Sequence, residues 1–102
     1  MAQLLVLYNT PADPAAFDHH YHGTHIPLAK KVPGMRSYLI NAGPVQSLAG
    51  ATAPYLVAQL TFDSMADLRV ALSSPEGQTA AADVANFATG GAILLIFDSK
   101  TV

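Results

Sequence analysis

Four histidines fall within seven positions, His19, His20, His22 and His25, inside the segment FDHHYHGTHIPLAKKVPG that runs from Phe17 to Gly34. Imidazole is the side chain whose proton moves near neutral pH, so a helix that aims one inward can carry a base or an acid. On an ideal helix Phe17, Tyr21, Thr24 and Leu28 share one stripe, with His25 at its edge one turn beyond Tyr21. His19 and His22 point away, and His20 lies on the opposite flank. His25 is therefore the candidate catalytic imidazole, facing a cavity between helix and sheet. Partial burial disfavours the charged ring, so the neutral, proton-accepting form should dominate near pH 7. Tyr21 is its candidate partner, able to donate to a substrate oxygen or to the imidazole. The competing reading is a His25 that bonds a backbone carbonyl and does nothing else.

A metal site is not expected. The i,i+4 histidine pair of zinc helices is absent, and His19, His22 and His25 fan apart by roughly 60° per step. Asp18 and His22 are i,i+4 and read as an exposed pair. Phe17 and Leu28 are candidates to line the cavity from the helix, and Tyr38, Tyr55, Gln59 and Asp83 to face His25 across it. Asp83 also reads as solvated, and Arg36 as a surface residue with carboxylate binding as its other option. The chain has no phosphate-binding glycine loop, no nucleophile elbow and no dinucleotide fingerprint. Gly90-Gly91 follows a helix and reads as its end.

The elements that must position these groups follow from local patterns. Gln3 to Tyr8 is a strand closed by Asn9-Thr10-Pro11. Asp13-Pro14 opens a helix running to about Ile26, where Pro27 should kink or break it, and Pro33-Gly34 stops the helix. Met35 to Asn41 is a second strand and Ala42 to Pro54 a loop. Tyr55 to Phe62 is a third strand that alternates, with Leu56, Ala58, Leu60 and Phe62 on one face. Ser64 and Ser74 start a helix in two pieces. Leu68, Ala71 and Leu72 turn inward on the first; the second carries Val84 and Phe87. Ala92 to Phe97 is the last strand. The order β-α-β-β-α-β is the α+β, ferredoxin-like split-βαβ pattern: a four-stranded antiparallel sheet with helices on one face.

A sheet covered on one side should alternate apolar and polar residues. The first and last strands are instead solidly aliphatic. The expected cover for their second face is the same face of another subunit, giving a homodimer joined sheet to sheet. The alternative is a pair of central strands with a few tolerated exposed apolar residues.

The 102 residues fit one domain, and 51% are hydrophobic against 12% charged, at a formal net charge of −2. A domain this size buries only roughly 60–70% of its unfolded surface, which again leaves apolar material for a partner. Lysines and arginines do not cluster beyond Lys30-Lys31, so nucleic acid is not an expected partner. The absence of cysteine excludes disulfides and thiolate chemistry. Leu4 to Leu7 is too short for a membrane span and no basic region precedes it, so the expected location is cytoplasmic.

The stretch Phe17-x3-Tyr21-x2-Thr24-His25-x-Pro27-Leu28, followed by Pro33-Gly34, resembles the EthD family, small proteins linked to degradation of ethyl tert-butyl ether. Ala53-Pro54-Tyr55, Phe62-Asp63-Ser64 and Ser74-Pro75-Glu76-Gly77 with Asp83-x3-Phe87 are similar to members labelled EthD family reductases. The resemblance implies a dimeric α+β barrel, a fold superfamily that includes cofactor-free monooxygenases, muconolactone isomerases and haem enzymes. No flavin or nicotinamide motif is visible, so no cofactor is expected. Two functions remain open. One is an enzyme moving a proton with His25 on a small, largely apolar, oxygen-bearing catabolic or polyketide-like molecule, by oxygenase or isomerase chemistry. The other is a binding or accessory protein of a degradation pathway, with His25 only orienting its ligand.

Overall fold

The computed structural model describes all 102 residues. Four strands, β1 (Ala2–Tyr8), β2 (Met35–Ile40), β3 (Leu56–Phe62) and β4 (Ala92–Asp98), form one antiparallel sheet in the order β2-β3-β1-β4. This is the expected ferredoxin-like arrangement. The alternation of β3 sets which face is which: Leu56, Ala58, Leu60 and Phe62 are buried, as are Ala2, Leu4, Val6 and Tyr8 of β1 paired beside them. The helices lie over that face.

The first helical segment, α1 (Pro14–His20), begins as its sequence dictates. Asp13 accepts from the Ala16 N–H at 3.2 Å, and Pro14 occupies the first turn, where its missing N–H costs nothing. Of the kink or break expected at Pro27, the break does not form. A π-helical turn at Tyr21–His25 intervenes instead, with the Ile26 N–H bonded to the Tyr21 carbonyl five residues back, and α2 (Ile26–Ala29) then carries the helix past the proline. The wider turn alters the carbonyl spacing ahead of the Pro27 ring, so the backbone passes without a break.

The second helix is in two pieces, as expected. Ser64 caps α3 (Met65–Ser73) by accepting from the Asp67 N–H at 3.1 Å, and Ser74 caps α4 (Pro75–Asp83) by accepting from the Gly77 N–H at 3.0 Å. Each such cap stabilises its helix by about 1 kcal/mol. The start of α4 sits so close to the end of α3 that a Cβ on Gly77 would lie 2.1 Å from the Ala71 carbonyl oxygen. A short 3-10 turn (Val84–Asn86) follows, and Phe87 returns to the core. The second piece therefore stops as a helix well before Gly90-Gly91.

The aliphatic runs have different fates. β1 is central and its outward Leu5 and Leu7 are half-buried. β4 is an edge strand whose Ile93 to Phe97 are all exposed, including the inward-facing Leu94 at 51% and Ile96 at 37%. The alternative of two central strands is thus wrong for β4. The rest of the outer face holds a polar chain. Gln3 accepts from Gln59 at 3.1 Å and from Thr61 at 2.7 Å, and donates to Ser99 at 3.2 Å. No helix of the protein is long and apolar enough to cross a membrane.

Candidate functional site

The π turn decides the geometry of the site. In a regular α-helix, positions five apart lie about 140° from each other. A turn closed by i→i+5 bonds brings them onto the same side. His20 and His25 are such a pair, and both reach Asp83 at the end of α4. His25 Nδ1 lies 2.9 Å from Asp83 Oδ2, and His20 Nε2 lies 2.8 Å from Asp83 Oδ1. Asn86 adds a third bond, donating to Oδ1 at 3.0 Å. The same change of phase takes Thr24 and Leu28 off the stripe: Thr24 is exposed and Leu28 half-buried. His20, placed on the opposite flank by regular geometry, joins the site.

His25 is 6% exposed, its ring packed 4.8 Å from Phe87 and 5.2 Å from Tyr21 between centroids. Burial pushes its proton affinity below the usual imidazole range, and the bond to Asp83 opposes this without winning. Burial pushes the Asp83 carboxyl up, but Asn86, His20 and His25 together hold it below the ordinary carboxylate value. The pair is therefore a neutral imidazole bonded to a charged carboxylate. With Asp83 acceptor-only, Nδ1 carries the hydrogen and Nε2 is left as an acceptor. Nε2 has no partner within the protein and is not sealed from open space.

Three phenols complete the group. Tyr21 and Tyr38 hydroxyls are 2.6 Å apart, so one O–H is spent between them and the other remains to be given. Tyr8 is 1% exposed, yet its hydroxyl bonds nothing in the protein and faces open space. All three titrate above the ordinary phenol, chiefly because burial disfavours phenolate. They act as donors at neutral pH.

Tyr8, Tyr21, Tyr38 and His25 line one cavity of about 60 Å³, whose other walls are almost entirely apolar. That is room for a few waters or a small organic group. The lining includes exposed Ala81 and Leu94, so the cavity opens between α4 and β4.

Of the residues expected at the site, His25, Tyr21, Tyr38 and Asp83 come together. Asp83 is buried, not solvated. Phe17 stands behind Tyr21, stacked on it at 5.7 Å, and is a core residue off the cavity. Leu28 also does not line it. Tyr55 instead donates to Asp18 at 2.8 Å, which replaces the expected Asp18–His22 pair, and lines a separate open cleft. Gln59 is on the outer sheet face. Arg36 forms a surface ion pair with Asp63 at 2.6 Å. His19 and His22 are exposed. Tyr8, His20 and Asn86 were missed. Tyr8 was within reach, because it shares its strand parity with Leu4 and Val6.

This arrangement can be set beside known proteins. A family model described as the EthD domain matches residues 9–91. A protein of Rhodococcus erythropolis, the "uncharacterized 11.0 kDa protein in thcB-thcC intergenic region", is 48% identical over 103 residues, covering 100% of this chain and 98% of the relative. The crystal structure of an ethyl tert-butyl ether d (ethd) family protein from Bacillus halodurans C-125 matches with a TM-score of 0.88 at 34% identity, covering 98% of this chain and 99% of that one. SnoaB, a cofactor-independent oxygenase from Streptomyces nogalater, shares the fold with a TM-score of 0.68 at 15% identity, over 99% of this chain and 94% of its own. Several other solved neighbours, 14–22% identical, are described as dimeric ferredoxin-like proteins. By its matched residues and its nearly full-length relatives, this chain belongs to the EthD family.

Proposed function

We propose that the protein is a cofactor-free enzyme that removes a proton from a small, largely apolar, oxygen-bearing molecule. The observation that carries this reading is the free Nε2 of His25, backed by Asp83 through Nδ1 and open to a cavity with two phenol protons to give. A substrate C–H or O–H next to a carbonyl or aromatic system would pass its proton to Nε2, forming imidazolium. The electron pair stays on the substrate as an enolate or phenolate. Asp83 stabilises the imidazolium, and the hydroxyl of Tyr8 with the spare O–H of the Tyr21–Tyr38 pair supports the oxygen that gains charge. Proton removal is the step that isomerases and cofactor-free oxygenases have in common. The oxygenase of similar fold agrees with it only as an analogy of architecture. The working unit in this reading is a homodimer joined through the outer sheet faces, which would cover Ile93, Leu95 and Phe97.

Deuterium uptake from heavy water into the carbon acids of a panel of small ketones, 1,3-diketones and β-keto esters, followed by mass spectrometry, tests the reading. Exchange with at least one class, lost by about 10²–10⁴-fold in His25→Asn with binding retained, is the expected result. Equal exchange in wild type and His25→Asn, with the ligand still bound, leaves a binding protein.

A further inference from the structure

The Asp83 carboxylate is held from three directions, and two of its partners are imidazoles of very different access. His20 bonds Oδ1 at 2.8 Å and His25 bonds Oδ2 at 2.9 Å, with Asn86 sharing Oδ1. The His20 side chain is 29% exposed, those of Asp83 and His25 only 7% and 8%. His20 can therefore exchange protons with solvent directly, while His25 meets the cavity. No lysine or arginine pairs with Asp83. On the helix that carries His20, Asp18 is turned to Tyr55 and His19 is exposed. From the sheet only the phenols of Tyr8 and Tyr38 face the cluster, and both keep their protons at neutral pH. Phe87, stacked on the His20 ring at 5.3 Å, is uncharged.

We propose that His20 is a positioning residue of the base: by sharing one carboxylate with His25, it fixes Asp83 against Nδ1 and makes its own charge a control on the proton affinity of His25. The proposal rests on the reading of His25 as the base.

The physical reason is that one negative charge serves two rings. A proton on His20 makes an ion pair with Asp83 and cancels the charge that would stabilise a proton on His25. The two imidazoles therefore compete for one counter-charge. Repulsion from His20 acts on His25 in the direction this requires. Acidification outside the protein thus weakens the base inside it, although His25 is shielded from bulk water. The coupling is a free energy between two sites, so it must be equal in both directions.

The test is a titration of the histidine ring nitrogens by NMR from pH 4.5 to 8.5, on the 15N-labelled full chain. H20Q keeps a donor for Oδ1 and removes the charge. In H20Q the His25 midpoint should move upward and its broadened curve should become that of a single proton. Superimposable His25 curves in wild type and H20Q overturn the proposal. If H20Q does not fold, H20N takes its place, and superimposable His25 curves in wild type and H20N overturn the proposal. With a substrate that exchanges, the acid limb of kcat/KM should lose its second proton in H20Q, which loss of packing alone would not cause. These titrations need no substrate. Independent imidazoles in an exchanging protein overturn the role of His20 alone, whereas coupled imidazoles in a protein that exchanges nothing overturn the base.

Discussion

The two faces of the sheet treat their polar groups in opposite ways. On the outer face, Gln3, Gln59, Thr61 and Ser99 consume one another's hydrogen-bonding capacity, and Ser99 passes the chain on to the Met1 carbonyl at 2.8 Å. On the inner face, the Tyr8 hydroxyl and His25 Nε2 are left unmatched beside a cavity. A satisfied network contributes to stability and to the choice of partner surface. A donor and an acceptor without a protein partner at the edge of a cavity stay free for a ligand. The outer face thus spends its polar groups within the protein, and the inner face keeps two of them free.

The largest expected effect falls on the outer face. Leu95→Lys places an ammonium where the proposed dimer would bury it, and should weaken association at least about a hundredfold. Sedimentation equilibrium at micromolar concentration reads this; an unchanged molecular weight would mean that the face is not the interface. Gln3→Leu should lower folding stability by about 1–3 kcal/mol, because Gln59 and Thr61 lose their common acceptor. Tyr8→Phe should spare the fold. Its hydroxyl has no protein partner to lose, so the unfolding free energy should stay within about 0.5 kcal/mol of wild type, while affinity for an oxygen-bearing ligand falls roughly tenfold. Equal loss of stability in the two variants would erase the contrast between the faces.

The smallest effect is in pH dependence. The folded His25 holds its proton less well than an ordinary imidazole of 6.5. Stability from this residue is complete above that value and declines as the pH falls below it, because unfolded chains take up a proton that the folded chain refuses. The Asp83 carboxyl is also depressed, so a second decline begins below about 3.8. Melting temperatures across this range should show both, and His25→Gln should remove only the upper one.

Much of this could be read from residue types and spacing. The strict alternation of β3, the serine caps of α3 and α4, and the prolines and glycines at element ends each act within a few residues, so local rules find them. Tyr21 and His25 were legible because they sit near one stripe of the helix. What escaped depends on longer range or on irregular backbone. The Asp83 contact joins residues 58 apart in sequence. The status of β4 as an edge is set by strand order, which its apolar run does not encode. Thr24, Leu28 and His20 were misplaced by one cause, the assumption of a regular helix through Tyr21–His25. Pro27 signalled trouble, but not that a wider turn would absorb it.

That wider turn amounts to one surplus residue in an otherwise ordinary helix. Gly23 lies within it, exposed, with nothing near its missing side chain. Deleting Gly23 should return the segment to α-helical phase and leave His20 and His25 four positions apart, where a regular helix also puts them on one face toward Asp83. In this small fold a histidine pair five apart stands where a pair four apart would stand in a regular helix, an equivalence that position-by-position comparison of residues would overlook.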